Sequence, residues 1–317
     1  MELPTVGMDL VDKRNARSAL EAAKRAAARG VPMVWSTTGP SAPDPMSFFG
    51  AVAVETDRLG FGTAIVPTYP RHPTVIATQA LALDQLAPGR FRLGLGPSHQ
   101  PTITGALGLP MGRPLDHLRE YVTITRDLLW NGQSDFEGQY YQVHSRMIGT
   151  AQVPIYISAL RSRAFRLAGE VADGAISWMC PLGYIRDVAC AAMRQGAALA
   201  GRPMPRMVAH IPVVMTGDRA RMIELARPRV SGYARLPFYA AMFADAGYPV
   251  GDEARVSDEL LDRLVVWGDE SEVRRRLSDA LGQGVDELLL TLLLGDAPEK
   301  DEQALSRVLA DLSGAHS

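Results

Sequence analysis

The stretch Asp57 to His99, DRLGFGTAIVPTYPRHPTVIATQALALDQLAPGRFRLGLGPSH, reads as strand, helix and strand. Phe61 to Val66 is a short apolar, β-branched run that ends in a Pro-rich turn, and Phe91 to Leu95 is a second run closed by Gly94, Gly96 and Pro97. Between them Pro73 suits a first helical turn, because proline lacks an N–H that would go unpaired there. Leu81, Leu83 and Leu86 supply an apolar face, and Pro88-Gly89 stops the helix. Both strand ends open into polar, turn-prone loops, the places to look for a ligand site.

Outward from this unit, strand-like runs stand at Thr5–Leu10, Pro32–Ser36, Pro154–Ser158, Gly174–Trp178, Met207–Met215 and Leu288–Leu294, which makes eight with the two above. Helical patterns separate them, and such alternation implies parallel strands joined by crossover helices. The expected fold is therefore α/β, a (β/α)8 TIM barrel formed by residues 1–317 as one domain, a length within that barrel's range. An open, doubly wound sheet is the rival. It would want a Gly-rich turn after the first strand, but Asp9 to Arg14 contains no glycine, and GLGPSH puts His99 where a third glycine would stand. Two stretches interrupt the repeat. Gln133–Gly149, with Gly138 and paired tyrosines, predicts a small hairpin. Arg227–Val256, with Pro228, Pro237, Pro249 and many aromatics, predicts an insertion after the seventh strand.

Composition narrows the function classes. Hydrophobic residues at 47% supply a large core, and a formal charge of -2 argues against a nucleic-acid surface. The partner expected is a small molecule. The longest apolar run, Leu288–Leu294, falls far short of the roughly 20 residues a membrane helix needs. Met1 to Asp12 reads as a strand rather than a signal peptide, and Cys180 and Cys190 are too few for a disulfide scaffold, so a cytoplasmic setting is expected. His117 and Glu120 share a helix face without a third ligand nearby, which predicts a solvated face and no metal site.

In a barrel of this kind the site lies at the C-terminal ends of the strands. Those ends offer Asp9; Ser36 to Thr38; Thr63 and Ala64 on to Pro67; Pro97, Ser98 and His99; Ser158, Ala159, Leu160, Arg161 and Ser162; and Trp178 and Met179. His99 is the ionisable group singled out as catalytic, since an unperturbed imidazole titrates near neutrality. His72, just before Pro73, is a helix cap or a ring-edge contact. Ser158 to Ser162 precede a helical run, so N–H groups and a helix N-terminus form a phosphate cradle reinforced by Arg161 and Arg163. Asp9 and Thr37 are assigned to the substrate pocket, and Tyr233, Phe238, Tyr239 and Phe243 of the insertion are the candidates for its wall, with helix or dimer packing as their alternative.

PTYPRHP (Pro67–Pro73), ALDQLAPGRFRLGLG (Ala82–Gly96), FEGQYY (Phe136–Tyr141) and LAGEVADG (Leu167–Gly174) together resemble the luciferase-like flavin and deazaflavin oxidoreductases. The resemblance spans nearly the whole chain. It implies a homodimer and a cofactor, coenzyme F420 or alternatively FMN, and a non-proline cis peptide that alignment places at Thr63-Ala64. It also implies that alcohol-oxidising relatives carry an Asp-His pair after the second strand. Here the chain reads Trp35-Ser36-Thr37-Thr38, which favours reduction of an unsaturated or carbonyl acceptor by reduced F420. The alternatives are an FMN-dependent monooxygenase and a cofactor-free binding homologue.

Overall fold

Strand β1 (Val6–Asp9) pairs in parallel with β2 (Met33–Ser36), and the series continues through β3 (Gly60–Thr63), β4 (Phe91–Gly96), β5 (Ile155–Ser158), β6 (Gly174–Trp178), β7 (Arg206–Val214) and β8 (Glu287–Leu292). β8 returns to β1, with Val6 opposite Leu288 and Met8 opposite Leu290, so the sheet closes. The computed structural model describes residues 5–39 and 42–314. Residues 1–4, where the N-terminal strand reading began, lie outside the described residues. Each run read from the sequence coincides with one of the eight strands. The third is interrupted: it stops at Thr63, and Val66–Pro67 resume pairing with β4, Val66 opposite Leu95. The open sheet is excluded by the closure.

The barrel interior is a solid plug. Alternate residues along each strand face inward, and large side chains from some strands fill the space left by glycines on their neighbours. A Cβ on Gly62 would come within 2.7 Å of the Trp35 ring, and one on Gly174 within 2.1 Å of the Tyr156 ring. Met33, Trp35, Tyr156, Ile176, Val208 and Leu289 form one buried cluster, with Ala64 and Ile65 packed on it. Trp35 and Tyr156 meet edge to face at 6.1 Å, and Arg92 lies over both rings at about 6 Å while its guanidinium pairs with the buried Glu287. A charged pair inside a barrel is not a feature the sequence reading foresaw.

The predicted hairpin is present as Gln133–Glu137 paired antiparallel with Gln142–Arg146. Its anchor corrects the reading of His117 and Glu120. Neither belongs to a solvated face. The Glu120 carboxylate accepts the N–H groups of Gln139, Tyr140 and Tyr141 at 2.8, 2.8 and 3.1 Å. Gly138 is needed because a Cβ there would stand 2.4 Å from Glu120 Oε2. His117 is buried, stacked on Tyr69 at 4.0 Å and hydrogen-bonded through Nε2 to Tyr141 Oη at 2.8 Å. Burial pushes its imidazole down to about 4. Its unfolded value lies above its folded one, so its contribution is full above about pH 6.5 and is lost as pH falls toward about 4, on the order of 2 kcal/mol. His117→Gln is therefore expected to flatten the fall in melting temperature between about pH 7 and about pH 4.5; equal slopes for the two proteins would refute this.

The insertion after β7 is larger than one crossover. Helices Arg219–Ala234, Pro237–Asp245, Asp258–Leu264 and Glu270–Leu281 occupy it, and Val266–Trp267 extend the sheet beside β7. Pro228 sits inside the first of these helices rather than in an irregular connection. Among the described residues no helix is long and apolar enough to cross a membrane, and no group of three or more His, Cys, Asp or Glu is arranged to hold a metal ion. Cys180 and Cys190 are buried free thiols.

Candidate active site

At the C-terminal end of β1, Asp9 meets a residue that the sequence reading did not select. Lys13, four positions on, turns back over the barrel mouth and places Nζ 2.7 Å from Asp9 Oδ1, 2.8 Å from Oδ2 and 2.7 Å from Thr37 Oγ1. The Thr37 N–H also donates to Asp9 Oδ1, at 3.1 Å. Asp9 and Thr37, assigned separately to the substrate pocket, are thus joined, with a lysine bridging them. On the opposite flank of β1, His210 of β7 hydrogen-bonds through Nε2 to Thr291 Oγ1 of β8 at 2.6 Å and packs under Trp178 of β6 at 4.1 Å between ring centroids. The signal for His210 was available: it is the one ionisable side chain within the apolar strand core Met207–Val214.

Above Trp178 the insertion supplies a wall. Tyr233 meets Trp178 at 5.8 Å, Tyr239 meets Tyr233 at 4.9 Å, and the His99 ring lies edge-on to both tyrosines at 6.1 and 5.9 Å. Tyr233 packs on Trp178 at this mouth. Phe238 does not join the expected wall: it is 60% exposed, and helix Pro237–Asp245 turns the neighbouring Tyr239 inward instead.

Between β3 and β4 the chain forms the bulge that the family resemblance implied, one bond later than aligned: the cis peptide is Ala64–Ile65, not Thr63–Ala64. Thr63 itself is fully buried. Its hydroxyl donates to Gly94 O and accepts from the Gly94 N–H, both at 2.8 Å, so its side chain ties β3 to β4 and faces no ligand. Half-buried Ala64 and Ile65 remain as the surface presented to the mouth. Gly96 is required beside them, since a Cβ would stand 2.3 Å from Ser158 Oγ and 2.9 Å from Ile65 Cγ1. Ser98 follows with φ 60°, a left-handed conformation uncommon outside glycine, and Met179 beyond β6 has φ 53°. Such positions cluster at functional sites.

The expected phosphate cradle is narrower than Ser158–Ser162. Ala159 is buried and its N–H donates to Ile176 O at 2.9 Å, so it has no donor to offer, and Leu160 packs against the core. What remains is the N-terminus of helix Ser162–Val171, whose first N–H groups lack intrahelical partners, with Arg161, Ser162 and Arg163 exposed. Arg161 reaches across to Asp245 of the insertion at 3.1 Å, a pair with both partners 46% exposed. His72 is a helix cap, accepting from the Thr74 N–H.

Burial sets the protonation of the mouth. It pushes His99 down, and it pushes His210 well down, helped by the nearby charges of Lys13 and Arg229. Tyr239 is held neutral, its phenol raised by the same cause. The two imidazoles are therefore uncharged near neutrality.

An exposed helix start with unpartnered N–H groups, a bulge seated on a plugged barrel and an aromatic wall after the seventh strand meet at this mouth. The luciferase-like monooxygenase family model matches residues 2–287, and the chain belongs to this family. It is 31% identical over 291 residues to an F420-dependent glucose-6-phosphate dehydrogenase of Nakamurella multipartita, covering 85% of this chain and 80% of that one. A 5,10-methylenetetrahydromethanopterin reductase of Methanolobus tindarius is 25% identical over 319 residues, with coverage of 93% and 96%. In structure, the coenzyme F420-dependent tetrahydromethanopterin reductase of Methanopyrus kandleri superposes with a TM-score of 0.79 at 20% identity, over 99% of both chains.

Proposed function

We propose that this protein is an oxidoreductase that uses reduced coenzyme F420 to deliver hydride to a small organic acceptor, an unsaturated or carbonyl compound. The observation that carries this reading is the pairing of two surfaces at one mouth. Ala64 and Ile65 form a small apolar seat fixed on the interior plug, and the exposed helix start at Ser162 lies beyond β5 with Arg161 beside it. The seat would support a planar ring, and the helix start with Arg161 would hold a phosphate. When bound, the cofactor supplies a two-electron hydride donor. F420-dependent relatives that align along most of the chain support the choice of deazaflavin.

The residues of the chain do the rest. Trp178, Tyr233 and Tyr239 exclude water and give the acceptor an apolar wall. His99 stands at the reacting end as a neutral imidazole, able to accept a hydrogen bond or donate one, but without the extra proton that the sequence reading asked of it. Thr37 and Thr38 stand where the resemblance would put an Asp-His pair, so no strong base is available there for alcohol oxidation, and reduction is the direction proposed. A homodimer in the cytoplasm completes the reading, the free buried thiols suiting a reducing compartment.

Titration with F420, and separately with FMN, tests the reading. F420 is expected to bind the more tightly, and Arg161→Ala to weaken it about 10- to 100-fold through loss of a charge-assisted contact. A preference for FMN would redirect the search to oxygen chemistry. Binding of neither would favour a cofactor-free role.

A further inference from the structure

Hydride delivery to a carbonyl or an alkene needs a proton as well, and the mouth contains few groups that hold one. Both Asp9 oxygens are engaged as acceptors, from Lys13 Nζ and the Thr37 N–H. His99 and His210 are kept uncharged by burial, and the Tyr239 phenol, raised well above its ordinary value by the same cause, gives up its proton reluctantly. Tyr233 stands in the wall against Trp178 rather than at a strand end, and arginines do not release protons near neutrality. Lys13 differs from these. Its side chain is only 17% exposed, although a lysine after a strand end can ordinarily extend into water. It is folded back so that its ammonium bridges β1 and β2, and its charge is felt by His210 on β7. Of its three partners, the two Asp9 oxygens are anionic and Thr37 Oγ is neutral, so Thr37 is the partner that a substrate oxygen can replace.

We propose that Lys13 is the catalytic proton donor and that the acceptor is therefore a carbonyl compound, an aldehyde or a ketone, whose oxygen takes the place of Thr37 Oγ on the ammonium. This deepens, and rests on, the proposed F420-dependent reduction. The carbonyl carbon receives the hydride while the Lys13 Nζ–H bond breaks and an O–H bond forms at the carbonyl oxygen. The acceptor gains two electrons and becomes an alcohol, the cofactor loses the same two, and solvent reprotonates the amine. Asp9 holds the ammonium in place and offsets its burial. In an activated alkene the new proton ends on carbon, out of reach of an ammonium held at an oxygen, whereas in a carbonyl it ends on the oxygen where negative charge develops and a fixed cation is worth most.

Single-turnover oxidation of reduced F420, with hexanal, benzaldehyde, cyclohexanone and a nitroalkene as probes, tests this. The protein should turn over at least one aldehyde or ketone. Lys13→Met should slow that reaction about 100-fold or more, the scale of general acid catalysis, with F420 affinity unchanged. Because Lys13→Met leaves Asp9 buried and unpaired, the double variant Lys13→Met/Asp9→Asn, which removes both charges, is compared with it. The double variant should melt near the native temperature and remain as slow. Recovery of the rate in the double variant would make Lys13 a structural counter-ion, and an unslowed Lys13→Met would exclude it as the donor. Turnover of the nitroalkene but of no carbonyl would also overturn the assignment, while leaving F420-dependent reduction in place. Absence of F420 binding would instead remove the reading beneath it.

Discussion

Gly94→Ala is expected to cost about 3 kcal/mol or more of stability and to abolish cofactor binding in whatever fraction still folds. The added Cβ would lie 1.9 Å from Thr63 O and 3.1 Å from Ile176 Cδ1. Thr63 cannot retreat, because its hydroxyl is bonded twice to the Gly94 backbone and its side chain is fully buried. Any shift of Thr63 moves Ala64 and Ile65, the surface to which the cofactor ring is assigned. Gly105→Ala, in the short π-helix Pro101–Ala106 with nothing within 4 Å of its Cβ, is the control and should change stability by no more than about 1 kcal/mol. Urea midpoints of the two variants decide the matter. Similar midpoints would mean that the plug is looser than its contacts show.

Arg92→Met should destabilise the protein by about 3–5 kcal/mol, the cost of leaving one member of a buried ion pair alone. Glu287 is fully buried, and burial pushes its carboxyl up to about 7 against the pull of Arg92 and Arg206. With a folded value above the unfolded one, the group contributes most below about pH 4.5, and that contribution is lost as pH rises through about 7. The penalty of Arg92→Met should accordingly be greater at about pH 8, where the carboxylate must be charged, than at about pH 5, where it can be neutral. The double variant Arg92→Met/Glu287→Leu, which substitutes apolar groups for both charges, should recover most of the loss. Failure to recover would show that Arg92 acts through its two aromatic neighbours rather than through Glu287.

The frame was legible because each strand is a short β-branched or leucine-rich run bounded by Gly and Pro, and because helical runs separate one strand from the next. Strand-end position then picked out Asp9, Thr37, Ser98, His99 and Trp178, and the aromatic insertion picked out Tyr233; the fold brings all of them to one mouth. The misses have physical causes. Thr63 and Ala159 stand at strand ends, but the sequence does not show that the hydroxyl of one and the amide of the other are consumed by neighbouring strands. Phe238 and Tyr239 are adjacent aromatics on a helix, and which of them turns inward depends on packing. Lys13 looks like any cation before a helix, and its partner Thr37 is 24 residues away. Arg92 and Glu287 are lone charges in apolar strands, separated by 195 residues, and a pair at that distance leaves no local trace.

The solid interior and the long segment between β7 and β8 divide the labour of the site. The floor is built from side chains that interlock across the whole barrel, so a change there disturbs several strands at once. Tyr233 and Tyr239 come from helices that the ring of strands does not need in order to close, because β7 pairs directly with β8 from Val208 opposite Glu287 to Val213 opposite Leu292. The face that the proposed function turns toward the acceptor can therefore be redrawn by substitution within residues 227–256 while the strands beneath it stay in register. A lineage, or an engineer, could exchange one acceptor for another by editing a single contiguous piece of sequence.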